Sequence, residues 1–314
     1  MKNTIVNSQT VGISGGLLAV MLAPGVVHAC ACGCGVFDVG GSSMLPSGQG
    51  GAAFVEYDYM NQKQNWSGSS EAASADNDDK RIETQFTTIG LQYMFNRSWG
   101  AQVELPYTFR YFKGTEEDTG QIASHSWGQL GDIRLRAIYT GFSEDMSSGV
   151  SLGLKLPTGS YKEDTDLVDR DTQIGTGSTD ILLGGFYRGH LDAHYKWDWF
   201  AQFQLEMPAF IQGDYRPGIE FNSAAGVDHQ GFSLGRVRIS PLAQVIFSDR
   251  ASDSGASAAP DDSGYQRILL SPGIEFHLHP VRIYADAEFP VFQNVTGNQL
   301  VAPVLFKMNL SFMF

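Results

Sequence analysis

Cys30, Cys32 and Cys34 stand at every second position of the stretch VVHACACGCGVF, and the 314-residue chain has no other cysteine. Alternate thiols on an extended backbone project to one side, and Gly33 and Gly35 let the chain wrap. Soft-metal ligation is therefore one chemistry open to them, with copper as Cu(I) the first candidate. His277 and His279, separated by Leu278, put two imidazoles on one face by strand period and could complete such a metal site. Three other fates compete. Cys30 could carry a lipid, although His28 is bulky where a lipobox has a small residue. A disulfide would leave one thiol over, and a bridge across a single residue is strained. A reduced tail could dock a periplasmic redox or metal-carrier protein, or plug a pore mouth. No CxxCH occurs, so c-type haem attachment is excluded.

A second set of reactive groups is spread along the chain. Arg110, Arg134, Arg136, Lys155, Arg236, Arg238 and Arg282 fall on the polar face of segments that alternate apolar and polar residues, as do Glu104, Asp180, Glu206, Glu275, Asp286 and Glu288. If those segments are strands, all these groups face one interior. They then serve either as a structural network of ion pairs or as the lining of a channel whose arginines guide an anionic or aromatic solute. A slip of one residue in any strand would reverse its faces. Hydrolytic chemistry has little to work with. His125 lies between Ser124 and Ser126 in what reads as a loop, and neither GxSxG nor HExxH occurs. The chain is expected to be non-catalytic.

The elements that must position these groups are strands. Ile89, Leu91, Tyr93 and Phe95 share one face, and Ile133, Leu135, Ala137 and Tyr139 lie opposite Arg134 and Arg136. Val150, Leu152, Leu154 and Leu156 repeat the scheme. The last residues, VLFKMNLSFMF, do so again and end on Phe314, like the C-terminal signal of outer-membrane barrels. About twelve such strands are expected, a number suited to a transmembrane antiparallel β-barrel. The links alternate in length. Residues 61–81, 112–128, 158–177, 208–219, 248–265 and 290–302 read as long loops, and the links between them as short turns. Short periplasmic turns and long extracellular loops are the outer-membrane pattern, and an even strand count leaves both termini periplasmic.

Residues 1–29 carry one charge, Lys2, and an apolar run broken by Gly15, Gly16, Pro24 and Gly25, ending Val27-His28-Ala29; they read as a cleaved signal peptide. Residues 30–51 form a Cys/Gly-rich periplasmic segment, and 52–314 the barrel. The net charge of -13 is concentrated in the long loops, including Glu116, Glu117, Asp169 and Asp171. So acidic a chain is not expected to bind nucleic acid. Its partners are expected to be the lipid bilayer, lipopolysaccharide through bridging cations, and a small-molecule solute.

Four stretches occur in an order that resembles a known family: LGLKLPTGSY, IGTGSTDILLGGFY, GDYRPGIEFNSAAGV and LLSPGIEFHLHPVRIYADAEFPVFQNVTGNQLVAP. The chain resembles the MetA-pathway phenol-degradation family of outer-membrane β-barrel proteins over residues 80–314. The most specific parts are Leu156-Pro157-Thr158-Gly159 and Gly175-Thr176-Gly177-Ser178-Thr179-Asp180. The resemblance implies a bacterial outer-membrane barrel loosely linked to uptake of hydrophobic or aromatic compounds, and carries over no catalytic residue. The expected function is thus a porin-like channel for small hydrophobic or aromatic solutes. The alternative is a metal-binding or redox-scaffold barrel that uses the three thiols at its periplasmic mouth.

Overall fold

The computed structural model describes residues 37–41, 45–46, 48–116, 119–163 and 167–314. The expected signal peptide and Cys30, Cys32 and Cys34 lie outside the described residues. Twelve antiparallel strands follow one another around a closed barrel. They are β1 (Gly50–Gln62), β2 (Asp79–Met94), β3 (Trp99–Thr115), β4 in two segments (Ile122–Leu130 and Ile133–Tyr139), β5 (Ser148–Leu156) and β6 (Ser178–His190). Then come β7 (Trp197–Ile211), β8 (Glu220–His229), β9 (Val237–Arg250), β10 (Tyr265–Leu278), β11 (Val281–Val301) and β12 (Leu305–Met313). Closure comes from β12 pairing with β1, with Tyr57 opposite Met308 and Tyr59 opposite Phe306. A closed barrel leaves no unpaired strand edge.

The pleat sorts the side chains. Phe306, Met308, Leu310 and Phe312 of β12 are exposed on the outside, while Leu305, Lys307 and Asn309 are buried inside. Leu152 and Leu154 likewise point out and Lys155 in. An apolar exterior around a polar interior is the inverse of a soluble domain and suits a lipid-facing wall. Aromatic pairs gather outside at the short-turn end: Trp99 with Tyr139 at 4.7 Å, Tyr187 with Trp199 at 5.3 Å and Tyr93 with Phe95 at 5.6 Å. Such belts mark the interfacial level of a membrane protein.

The short turns are closed by side chains. The Asn96 side-chain oxygen accepts from the backbone N–H of Ser98 at 2.8 Å and of Trp99 at 2.9 Å. Asp192 accepts from Lys196 at 2.7 Å and Trp197 at 3.1 Å. The backbone donor of Trp197, and then that of Lys196, hold the Asp192 carboxyl below the usual range.

The expected loop 61–81 contains a strand, Gln64–Gly68, paired with the end of β11, and two other expected loops are strand over most of their length. Residues 112–128 include the paired tips of β3 and β4, with Thr115 opposite Ile122. Residues 290–301 continue β11, after a register shift opposite Ile268 and Leu269. The reason is local. Phe112 and Trp127 face inward and are buried with Ile82, Val168 and Leu300. Apolar residues on the inner face break the alternation by which the other strands are recognised.

Candidate functional site

The lumen is where the charged residues converge, and a piece of the chain ahead of β1 lies inside it. Phe37 and Val39 are buried against Met60, Ala224, Ile246, Leu269 and Leu305. Part of the segment expected in the periplasm therefore sits within the barrel. Side chains of the wall hold it, and residues 37–41 join no strand ladder. The Lys307 ammonium donates to the carbonyls of Phe37 and, at 3.3 Å, Val39. The Gly41 N–H donates to Gln244 Oε1 at 3.0 Å. Gly40 and Gly41 have φ of +116° and +68°, and a Cβ on Gly41 would lie 3.1 Å from the Tyr284 ring. Only glycine meets both the backbone conformation and the close approach.

One wall of the lumen, from β3 to β7, carries a dense ion-pair network. Arg136 Nη1 meets Glu104 Oε2 at 2.6 Å, and its Nη2 donates to Gln204 Oε1 at 2.9 Å. Lys155 pairs with Asp180 and Glu206. Arg134 pairs with Asp38 of the inserted segment, and with Glu206 at 3.4 Å. The facing wall, from β1, β11 and β12, is acidic: Glu56, Asp58, Asp286 and Glu288 surround Lys307. Asp286 Oδ2 accepts from Ser271 and Tyr284 at 2.6 Å each and from Gln244 at 2.9 Å. Both carboxylate oxygens of the buried Glu288 have no hydrogen-bond partner.

Residues 157–163 and 167–177, between β5 and β6, cover the other end. The break in β4 at Gly131-Asp132 docks them. Asp132 Oδ1 accepts from Gly159 N at 2.9 Å, and Oδ2 from Thr176 N at 2.8 Å and its hydroxyl at 2.6 Å. The two motifs singled out in the sequence thus meet on one carboxylate, and a Cβ on Gly175 would fall 2.1 Å from the Gly159 carbonyl oxygen. Arg110 donates to Thr84 Oγ1 at 3.1 Å and to the Thr172 carbonyl. Arg170 is sandwiched between Tyr161 and Tyr215, at 4.5 and 4.2 Å from the ring centres. Tyr215 in turn donates to Asp253 at 2.7 Å, which ties a second loop to the first. Burial raises the Asp171 carboxyl to about 7, and the nearby Asp169 and Asp253 add to this against the pull of Arg250.

Between segment and loop lies a cavity of about 270 Å³, whose lining includes Phe86, Ile138, Phe186 and Tyr215 beside the charged groups. Leu45, Pro46, Gln92 and Gln102 line both this cavity and a second one of about 400 Å³ toward the short-turn end. Arg110, Arg134, Arg136 and Lys155 lie on the wall of the first cavity. Glu275, Asp286 and Glu288 face inward and are buried, but outside that lining. Arg238 and Arg282 are second residues of β9 and β11, at the short-turn rim, and Arg236 is exposed in the turn before β9. These three are separate from the cavity wall because their strands begin there.

The histidines do not converge. His190, His229 and His277 are on β6, β8 and β10, with one strand between each and the next. His190 pairs with Asp198 at 2.5 Å, His229 lies 4.9 Å from Trp197 in the aromatic belt, and His277 pairs with Glu275 at 2.8 Å. His279 lines the second cavity. Among the described residues no three His, Cys, Asp or Glu side chains are arranged to hold a metal ion. His125, in β4 and not in a loop, pairs with Glu163 at 2.8 Å and stacks on Trp127. Sequence reasoning missed Asp38, Gln204 and Lys307. The one signal for the first was an acid set between Phe37 and Val39, an apolar stretch in a Gly-rich segment.

No family model and no curated protein matches the chain. Solved structures do. An outer membrane channel from Pseudomonas putida F1 aligns with a TM-score of 0.66 at 12% identity, covering 88% of this chain and 100% of that one. The β domain of a Bordetella autotransporter aligns with a TM-score of 0.50 at 11% identity, covering 85% and 100%. At such identities the likeness shows the fold: a closed twelve-stranded barrel of the outer-membrane type.

Proposed function

We propose that the protein is a non-catalytic outer-membrane channel for small solutes with an apolar or aromatic body, closed in this conformation by its own N-terminal segment. One observation carries this: the cavity inside the barrel is bounded by residues 37–40, in a segment held by side-chain contacts and not by strand pairing. Such a segment can leave without opening the wall. The fold shared with an outer membrane channel supports the same conclusion. Size supports the solute class. A dry cavity of about 150 Å³ admits benzene, so the volume here suits a single substituted ring. The lining mixes Phe86, Phe186 and Ile138 with charges, which favours a ring that also bears a polar group. The short-turn end faces the periplasm, and the aromatic belt at that end sits in the inner leaflet.

Planar-bilayer recordings test the channel. The full chain is expected to give brief, small openings, and a variant lacking residues 37–41 a persistent open level that an added aromatic solute interrupts. Absence of conductance in both, with the barrel folded, would overturn the proposal.

A further inference from the structure

We propose that the lumen contains a carboxylate-binding site, filled here by the protein's own Asp38, whose free ligand is a small aromatic monocarboxylate. This deepens the channel function by naming a solute class, and it rests on that function only for the ligand's being a transported solute.

The two oxygens of Asp38 are taken by different donors. Oδ1 pairs with the Arg134 guanidinium, and Oδ2 accepts from Gln204 Nε2 at 2.7 Å. Neither donor belongs to the inserted segment; Arg134 is on β4 and Gln204 on β7. Both are aimed by the wall itself. Arg136 donates to Gln204 Oε1 at 2.9 Å, which turns the amide so that its N–H faces Asp38. Glu104 holds Arg136 from behind at 2.6 Å, and Glu206 lies 3.4 Å from the second Arg134 nitrogen. The donors are thus preorganised whether or not Asp38 is present.

The neighbouring residue completes the likeness to a ligand. Phe37 is buried, with its ring 5.9 Å from that of Phe86. A ring and a carboxylate on successive residues occupy an aromatic wall and a two-donor clamp. Charge decides how many carboxylates the ligand carries. Arg134, Arg136 and Lys155 face Asp38, Glu104, Asp180 and Glu206. With Asp38 withdrawn the network has three cations and three anions, and a monoanion restores the count found here. A second carboxylate would meet Glu104 and Glu206. A neutral ring would leave the Gln204 donor without its acceptor.

The test uses full-length protein in detergent, with the barrel verified by its heat-modifiable migration. Benzoate is the probe and benzamide its neutral counterpart, both titrated by calorimetry. D38A is expected to bind benzoate and not benzamide. The unaltered chain should bind benzoate more weakly by about tenfold or more, because Asp38 competes from within. Adding R134Q or, separately, Q204L to D38A should weaken benzoate binding by about tenfold or more. Equal binding of the two probes, no benzoate binding to D38A, or no effect of either second substitution would overturn the site. Flux into proteoliposomes separates this from the channel itself. Benzoate binding without flux keeps the site and removes the channel function. Equal flux of both probes through D38A without binding keeps the channel and removes the site.

Discussion

On the lumen wall from β3 to β7, three cations face four carboxylates, and one of those four, Asp38, is brought by the inserted segment. On the wall from β1, β11 and β12, a single lysine faces four carboxylates of its own strands. The inserted segment touches both. Its carboxylate goes to the cationic wall, and its carbonyls go to the one ammonium of the acidic wall. Buried charge is tolerated where it is paired and hydrogen-bonded. On the cationic wall each carboxylate has a cation of the network in ion-pair reach, although Asp180 relies on the Lys155 pair alone; on the acidic wall four carboxylates share one lysine, and oxygens of Asp58, Asp286 and Glu288 have no hydrogen bond. The first wall is therefore suited to recognition and the second to holding the segment through one replaceable contact.

The largest expected effect comes from Lys307→Met. It strands four carboxylates and releases the carbonyls of Phe37 and Val39. Loss of a buried pair of this kind costs about 3–5 kcal/mol, which should appear as a much lower thermal midpoint together with a persistent open level in bilayers. Arg136→Met on the cationic wall should cost less, since Arg134 and Lys155 remain beside Glu104 and Glu206. Equal losses from the two substitutions would break the contrast between the walls.

Glu288→Gln probes the acidic wall from the other side. Its carboxylate is fully buried with neither oxygen hydrogen-bonded. Removing one of four like charges should stabilise the barrel by about 1 kcal/mol and lower the ratio of cation to anion permeability. A clear drop in the thermal midpoint would show that the acid excess is not a burden.

The most local effect concerns the loop above both walls. Folding raises the Asp171 carboxyl from 3.8 to about 7, so the packed loop keeps a proton that the unpacked loop would release. Packing is then most stable below pH 3.8, weakens as pH rises to about 7, and is level above that. Hydrogen-exchange protection of residues 167–176 should fall between pH 5 and pH 8, after correction for intrinsic exchange. Asp171→Asn should abolish the difference, and a pH dependence that survives it belongs to another group.

Legibility in the sequence followed a physical divide. Strands such as β5 and β12 could be read residue by residue, because lipid outside and charge inside enforce a strict two-residue period. The tips of β3 and β4 could not, because Phe112 and Trp127 are buried by Leu167, Val168 and Ile174 of the following loop, and a loop's cover is not visible in the strand it covers. Arg134, Arg136 and Lys155 could be assigned to the interior from parity alone. Their partners could not, since Asp38, Gln204 and Glu206 are 96, 68 and 51 residues away. His277 and His279 can be placed on one face from strand period alone. The circumferential strand order, which spaces His190, His229 and His277 apart, is a different coordinate.

By itself the sequence determined the barrel, its inside and outside and which end has the short turns, because those follow from a local period and from link length. Tertiary structure alone decided that Asp132 gathers two distant glycine-containing motifs, that residues 167–177 fold inward, and that Phe37 to Gly41 enter the lumen. Each of these depends on groups far apart in the chain finding one another across the barrel, where a carboxylate or an ammonium out of water takes whatever partner the closed wall brings within reach.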